Sequence, residues 1–185
     1  MNQKGTSKII LLIIVAIVVI SSIAIYLAMS GNQTPNGGTT PNGNGDTNGD
    51  TTQTGVSTAN SLQFKVNVNP MGEESIEYTY MIKNAQTSDL MMRIEMQTTD
   101  ENFIYIINGA QEKVWAYSSG QWMELSEGFP TYWETWNSAW QGYKNNLLDW
   151  TGIGDWTYTT PNGDSVRIHS ISINPQLSDS LFQHS

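Results

Sequence analysis

YWETWNSAWQGYKNNLLDW, residues 132–150, decides how this chain folds. Trp133, Trp136, Trp140, Tyr143, Leu147 and Trp150 follow one another at intervals of 3, 4, 3, 4 and 3 residues. At about 100° per residue those intervals keep all six side chains within an arc of roughly 100° on a helix. Glu134, Gln141, Lys144, Asn145 and Asp149 fall elsewhere. Thr131 with Glu134 three positions on reads as a capping box, Pro130 discourages an earlier helical turn, and Gly152 offers a left-handed stop. The stretch is therefore predicted to be one amphipathic helix of about five turns, roughly 28 Å long. It carries four of the seven tryptophans of the chain, and their single stripe reads either as core wall or as the lining of an apolar site.

Working outward, period-two alternation predicts strands for the helix to cover. Leu62, Phe64, Val66 and Val68 alternate with Gln63, Lys65, Asn67 and Asn69 before Pro70; Ile76, Tyr78, Tyr80 and Ile82 alternate with Glu77, Thr79, Met81 and Lys83. Leu90, Met92, Ile94 and Met96 oppose Met91, Arg93 and Glu95. FIYIING (103–109) and KVWAYS (113–118) add two more around the Asn108-Gly109 turn, and Gly120 introduces a brief QWMEL segment. WTYT and the run from Ser165 to Ile173 form a last hairpin about Pro161-Asn162-Gly163-Asp164. The apolar phase slips between Ile168 and Ile171, which predicts a bulge at His169 or Ser170. The fold class expected is α+β, a curved antiparallel sheet of about seven strands covered by the tryptophan-rich helix.

Residues before this unit have another character. Ile9 to Met29 is almost wholly apolar and free of charge, long enough at about 1.5 Å per residue to cross roughly 30 Å of hydrocarbon. A cleaved secretory signal ending at Ala28-Met29-Ser30 is the rival reading, but such apolar regions run only about 7 to 15 residues. Lys4 and Lys8 precede the span and no Lys or Arg follows until Lys65, so the positive-inside bias puts the amino terminus in the cytoplasm. The organisation expected is 1–8 cytoplasmic, 9–29 transmembrane, 30–56 a flexible stalk rich in Gly, Asn and Thr, and 57–185 an extracytoplasmic domain. Asn32-Gln33-Thr34 in the stalk is a sequon, which makes Asn32 a candidate glycosylation site.

Charge and composition narrow the function classes. Beyond the span lie all seventeen acidic residues and six basic ones, a net charge of −11. That balance argues against nucleic acid and anionic membrane surfaces as partners. The chain has no cysteine, which removes disulfides, zinc-thiolate sites and thiol nucleophiles. His169 and His184 are the only histidines; His169 is expected at an edge of the final hairpin and His184 in a disordered tail. Glu73-Glu74 and Asp100-Glu101 sit in predicted turns, where carboxylates are ordinarily solvated. Arg93 beside Glu95 reads as a structural pair across the sheet. No catalytic constellation, metal-ligand spacing or cofactor motif emerges, so a non-enzyme is expected.

Two resemblances add to this. The leader MNQKGTSK resembles the class III, prepilin-type signal peptides of archaeal pilins and surface-displayed binding proteins, which implies processing at Lys4-Gly5 before Thr6 with the apolar helix retained. An uncleaved signal anchor whose lysines snorkel to the headgroups is the alternative. Farther along, Ile107-Asn108-Gly109, Val114-Trp115-Ala116-Tyr117, Asn174-Pro175 and Leu181-Phe182 are similar to the LolA-type lipoprotein-sorting carriers and their lipid-binding relatives. That resemblance implies a strongly curved sheet closed by helices, with acyl chains carried between them. This chain leaves little room between Ser57 and Leu62 for the helix that precedes the first strand in that family.

The expectation is thus a membrane-anchored extracytoplasmic protein holding a lipid, acyl chain or similar hydrophobic ligand. Trp133, Trp136, Trp140, Tyr143, Trp150, Met92, Met96 and Trp115 are its candidate binding residues. A pilus-like filament subunit with surface-protein partners is a second reading. A carbohydrate or cell-wall module, for which Trp115 and Trp122 are the better placed rings, is a third. Substituting Gly5 with Val is expected to block processing of the leader, read as the intact mass of the mature amino terminus; unchanged processing removes the prepilin-type reading.

Overall fold

The computed structural model describes residues 55–70, 74–98, 102–148, 150–159 and 163–184. The expected span at 9–29, nearly all of the stalk, Asn32, and the carboxylates of Glu73, Asp100 and Glu101 lie outside the described residues. Among the described residues no helix is long and apolar enough to cross a membrane.

Eight strands form one antiparallel sheet: β1 (Ser61–Asn69), β2 (Ile76–Lys83), β3 (Met91–Gln97), β4 (Asn102–Asn108), β5 (Lys113–Ser118), β6 (Gln121–Glu124), β7 (Trp156–Thr159) and β8 (Ser165–Ile173). The spatial order is β6-β5-β4-β3-β2-β1-β8-β7. The chain runs as a six-strand meander to one edge, then returns to the opposite edge for the final hairpin. Seven were expected; the eighth is β6, four residues long, closed onto β5 by a two-residue turn in which Ser119 and Gly120 take φ of 50° and 81°. Positive φ at both positions is what a tight hairpin of matching twist requires. The two edges, β6 and β7, are the shortest strands, which limits the unpaired backbone offered to another chain.

Register sorts the side chains onto two faces. Phe64, Tyr80, Ile94, Tyr105, Ala116 and Met123 stand opposite one another across β1 to β6 and define an inner face. The neighbouring row, Gln63, Met81, Arg93, Ile106, Trp115 and Glu124, points outward. In β8 the pairing with β1 shifts between Gln63 and Lys65, and Ser170 adopts φ of 54°. This is the expected bulge. The extra residue lets Ile168, Ile171 and Ile173 all pack toward the core although an unbroken pleat would send two of them out.

The helix α1 (Phe129–Leu147) links β6 to β7 and so must cross the sheet. Seven inter-strand steps of about 4.8 Å make roughly 34 Å; a 19-residue helix supplies about 28 Å of that. Its ends differ from expectation. Gly128 is the N-cap, no side chain caps it, and Pro130 lies inside the first turn, where its missing N–H costs nothing because those donors have no helical partner. Thr131 is helical, its carbonyl accepting from the Thr135 hydroxyl at 2.9 Å, so the capping box does not form. At the other end the helix closes at Leu147 with Leu148 as C-cap. Gly152 does take φ of 86°, but in the loop beyond, and Trp150 is off the helix altogether, its indole N–H donating to the Gly154 carbonyl at 3.1 Å.

After β8 the chain turns at Asn174, which has φ of 53° and whose side-chain oxygen accepts from Asn60 N at 2.8 Å. It then straps the outer face. Ser61 Oγ donates to Pro175 O at 2.8 Å, Lys83 Nζ to Leu177 O at 3.2 Å and Arg93 Nη1 to Leu181 O at 2.9 Å. A short 3-10 turn, Asp179–Phe182, lies on β3 and β4; Phe182 is buried and Ile106, on the outer face, is fully so. The expected disorder at His184 is corrected here, since its ring stacks on Trp115 with centroids 4.7 Å apart.

Gly109 ties the sheet to the helix. Its N–H donates to Leu90 O at 3.0 Å, and a Cβ there would stand 2.7 Å from Cη2 of Trp133 and 3.1 Å from Leu90 O. Gly109→Ala is therefore expected to destabilise by about 1–3 kcal/mol, measured by denaturant unfolding, with Trp133→Leu in the same background recovering part of the loss; an unaffected midpoint would place Trp133 elsewhere.

Candidate functional site

The space between the inner sheet face and α1 is an aromatic layer. Trp136, Ala139, Trp140, Gly142, Tyr143 and Leu147 are the buried residues of the helix, and the sheet meets them with rings. Trp136 lies 5.1 Å from Tyr105 and 6.4 Å from Tyr80, Trp140 6.1 Å from Phe64, and Tyr143 5.3 Å from Tyr80, all between centroids. Phe64 and Tyr80 stack nearly parallel at 5.2 Å. Such offset and edge-on pairs add to the burial of area itself. The small inner residues of β5, Val114, Ala116 and Ser118, let the helix backbone come close at that side.

The candidate binding residues do not form one set. Trp136, Trp140, Tyr143, Met92 and Met96 share this inner layer, with Met92 fully buried and Met96 nearly so. Trp133 is half-buried at the start of the helix, stacked on Phe129 at 5.6 Å. Trp150 packs against the core from the loop after the helix. Trp115 faces the opposite side of the sheet. The stripe of period 3.6 located the inner rings correctly, and it overshot at Trp150 because periodicity carries no signal for where the helix stops.

Several polar groups in the layer are unusual. Among the described residues, the Tyr78 hydroxyl and the indole Nε1 atoms of Trp136 and Trp140 are buried with no hydrogen-bond partner. An indole N–H only donates, so each of those tryptophans buries a donor with no acceptor among the described residues. Burial also raises the phenol pKa values of Tyr78, Tyr105 and Tyr143, and pushes Tyr80 well above its ordinary value. For Tyr80 the neighbouring phenols of Tyr143 and Tyr78 add to the effect of burial.

The outer face is wet and charged. Lys65 Nζ pairs with Glu77 at 2.7 Å, and His169 Nε2 lies 3.5 Å from the other oxygen of that carboxylate. The Lys65 hydrogen bond, with help from charge, holds Glu77 below the usual carboxylate range. Arg93 pairs with Glu95 at 2.7 Å along its own strand, where a pair across the sheet was expected. Among the described residues no group of three or more His, Asp or Glu side chains is placed to hold a metal ion. Trp115, Tyr117, Trp122 and His184 make a second aromatic cluster here. The large residues of KVWAYS alternate outward while the small ones face in, which is the signal that could have located it.

Comparison with protein-family models, with curated proteins and with solved structures finds no match.

The buried phenols generate a pH prediction. Their folded pKa values lie above the unfolded value of about 10, so below that pH both states are neutral and stability is intact. As pH rises past about 10 the unfolded chain ionises and the folded one resists, and stability falls. Phenolate absorbance during alkaline titration is expected to show Tyr78, Tyr80, Tyr105 and Tyr143 ionising only together with unfolding; all eight tyrosines titrating in the folded protein would contradict the packing.

Proposed function

We propose that this chain is a membrane-anchored extracytoplasmic binding protein whose ligand is an amphiphile, a lipid or acyl chain bearing oxygen acceptors, held between the sheet and α1. The observation that carries this reading is the set of unpartnered donors at Trp136, Trp140 and Tyr78 within a layer of apolar rings. Leaving one such group dry costs about 1–3 kcal/mol. A guest with ester, carboxyl or hydroxyl oxygens relieves that cost where a purely aliphatic one does not. Met92 and Met96 on the sheet side are adaptable to acyl chains of differing shape. The resemblance of Ile107-Asn108-Gly109 and Val114-Trp115-Ala116-Tyr117 to the lipid-carrying family supports the same reading. The apolar segment 9–29 and the stalk would hold the domain at the outer membrane surface, suited to capture or display of the ligand there.

The test is native mass spectrometry of the ectodomain, released from host membranes by proteolysis in the stalk. A protein mass accompanied by a lipid-sized adduct is expected; protein alone, with added fatty acids and phospholipids failing to bind, overturns the reading. Tyr78→Phe removes a donor without removing the ring, and is expected to weaken binding by roughly fivefold, about 1 kcal/mol, with the fold intact.

A further inference from the structure

The second aromatic cluster stands apart from the interlayer space, on the other face of the sheet. An open cleft of about 550 Å³ there is lined by Asn108, Gln111, Trp115, Asp179, Gln183 and His184 among others, a size ordinary for small-ligand sites. Its floor is the indole of Trp115, presented outward by β5, with Trp122 and Tyr117 beside it at 5.3 Å from one another. Its rim carries three neutral amides, Asn108, Gln111 and Gln183, together with the Asp179 carboxylate and the apolar Met91 and Phe182. The face of the indole is already covered by a flat ring: His184 lies on it at 4.7 Å with the planes only 15° apart, and meets Trp122 edge-on at 6.5 Å.

We infer that this cleft is a binding site for a neutral glycan, with one sugar ring stacking on Trp115 in the place that His184 now takes. The chemistry matches part by part. An aromatic face receives the C–H face of a pyranose, and neutral amide side chains at the rim can both donate to and accept from its hydroxyls. The net charge of −11 beyond the span opposes the other common ring-bearing partner, a nucleic acid, and anionic polysaccharides with it. The strap is fastened just upstream, where Arg93 holds the Leu181 carbonyl and Phe182 is buried. Among the described residues, the exposed Gln183 and His184 need to swing aside, which releases the Gln183 N–H from Ser180 O while the strap upstream stays fastened, so the tail competes with the sugar. Nothing in this site depends on a ligand between sheet and helix.

The test is calorimetric titration of the full-length chain, in a detergent without a sugar headgroup, with cellotriose, maltotriose and tri-N-acetylchitotriose. The wild type is expected to bind at least one of them. His184→Ala, an exposed change, is expected to tighten that binding by threefold or more. Trp115→Ala is expected to weaken it by more than about tenfold, with Trp115→Phe intermediate as a check that folding is retained. Silence of all three sugars toward both wild type and His184→Ala overturns the inference, as does binding that Trp115→Ala leaves unchanged. A fatty acid that binds while the sugars do not would also overturn it and leave the interlayer reading standing.

Discussion

One sheet face and one helix have to satisfy each other in this molecule, and they do so through rings. The helix has little to hold it by itself. No side chain caps its start and its first turn carries no acidic residue, while its sequence includes Gly142, several Trp and Tyr, and Thr, none of them strong helix formers. Its stability comes from docking. Trp136 and Trp140, both fully buried, each remove on the order of 200 Å² from water, about 5 kcal/mol apiece at 25 cal/mol per Å² before entropy is counted. The sheet in turn has an apolar side that this helix covers.

The two faces divide the tasks. Inside, burial dominates, and among the described residues no charged side chain is buried. Outside, exposed ion pairs such as Lys113 with Glu124 and Arg167 with Asp155 contribute little individually. More consequential are the outer residues that fasten the carboxyl-terminal strap: Ser61, Lys83 and Arg93 hold successive backbone carbonyls of Pro175, Leu177 and Leu181, and Phe182 closes over the turn on β3 and β4. The strap runs across β3 and β4 on the face where Ile106 is fully buried.

Much of this was legible because burial on one side leaves a period. The alternation in β1 and β2 fixed their inner residues correctly, and the break between Ile168 and Ile171 revealed the bulge that Ser170 makes. The stripe from Trp133 to Leu147 gave the helix and its inward face. What sequence pattern could not convey were features set by tertiary contact. Pro130 looks like a barrier but sits in the one turn where a missing N–H is harmless. Trp150 continues the stripe numerically after the helix has closed. The strap has no period because its short 3-10 turn buries one residue, Phe182, and its backbone is satisfied by distant side chains. Of the candidate site, the inner rings were readable as neighbours; the alternation in KVWAYS separates Trp115 from Val114 and Ala116, and the register of β5 against β4 places it on the outer face.

Everything rests on the indoles of α1 facing the sheet, and hydrogen exchange at assigned indole N–H groups measures that directly. The account predicts that the Nε1 protons of Trp136 and Trp140 exchange only as fast as the domain unfolds, orders of magnitude more slowly than that of half-exposed Trp122. Exchange of all three at comparable, solvent-limited rates would contradict it.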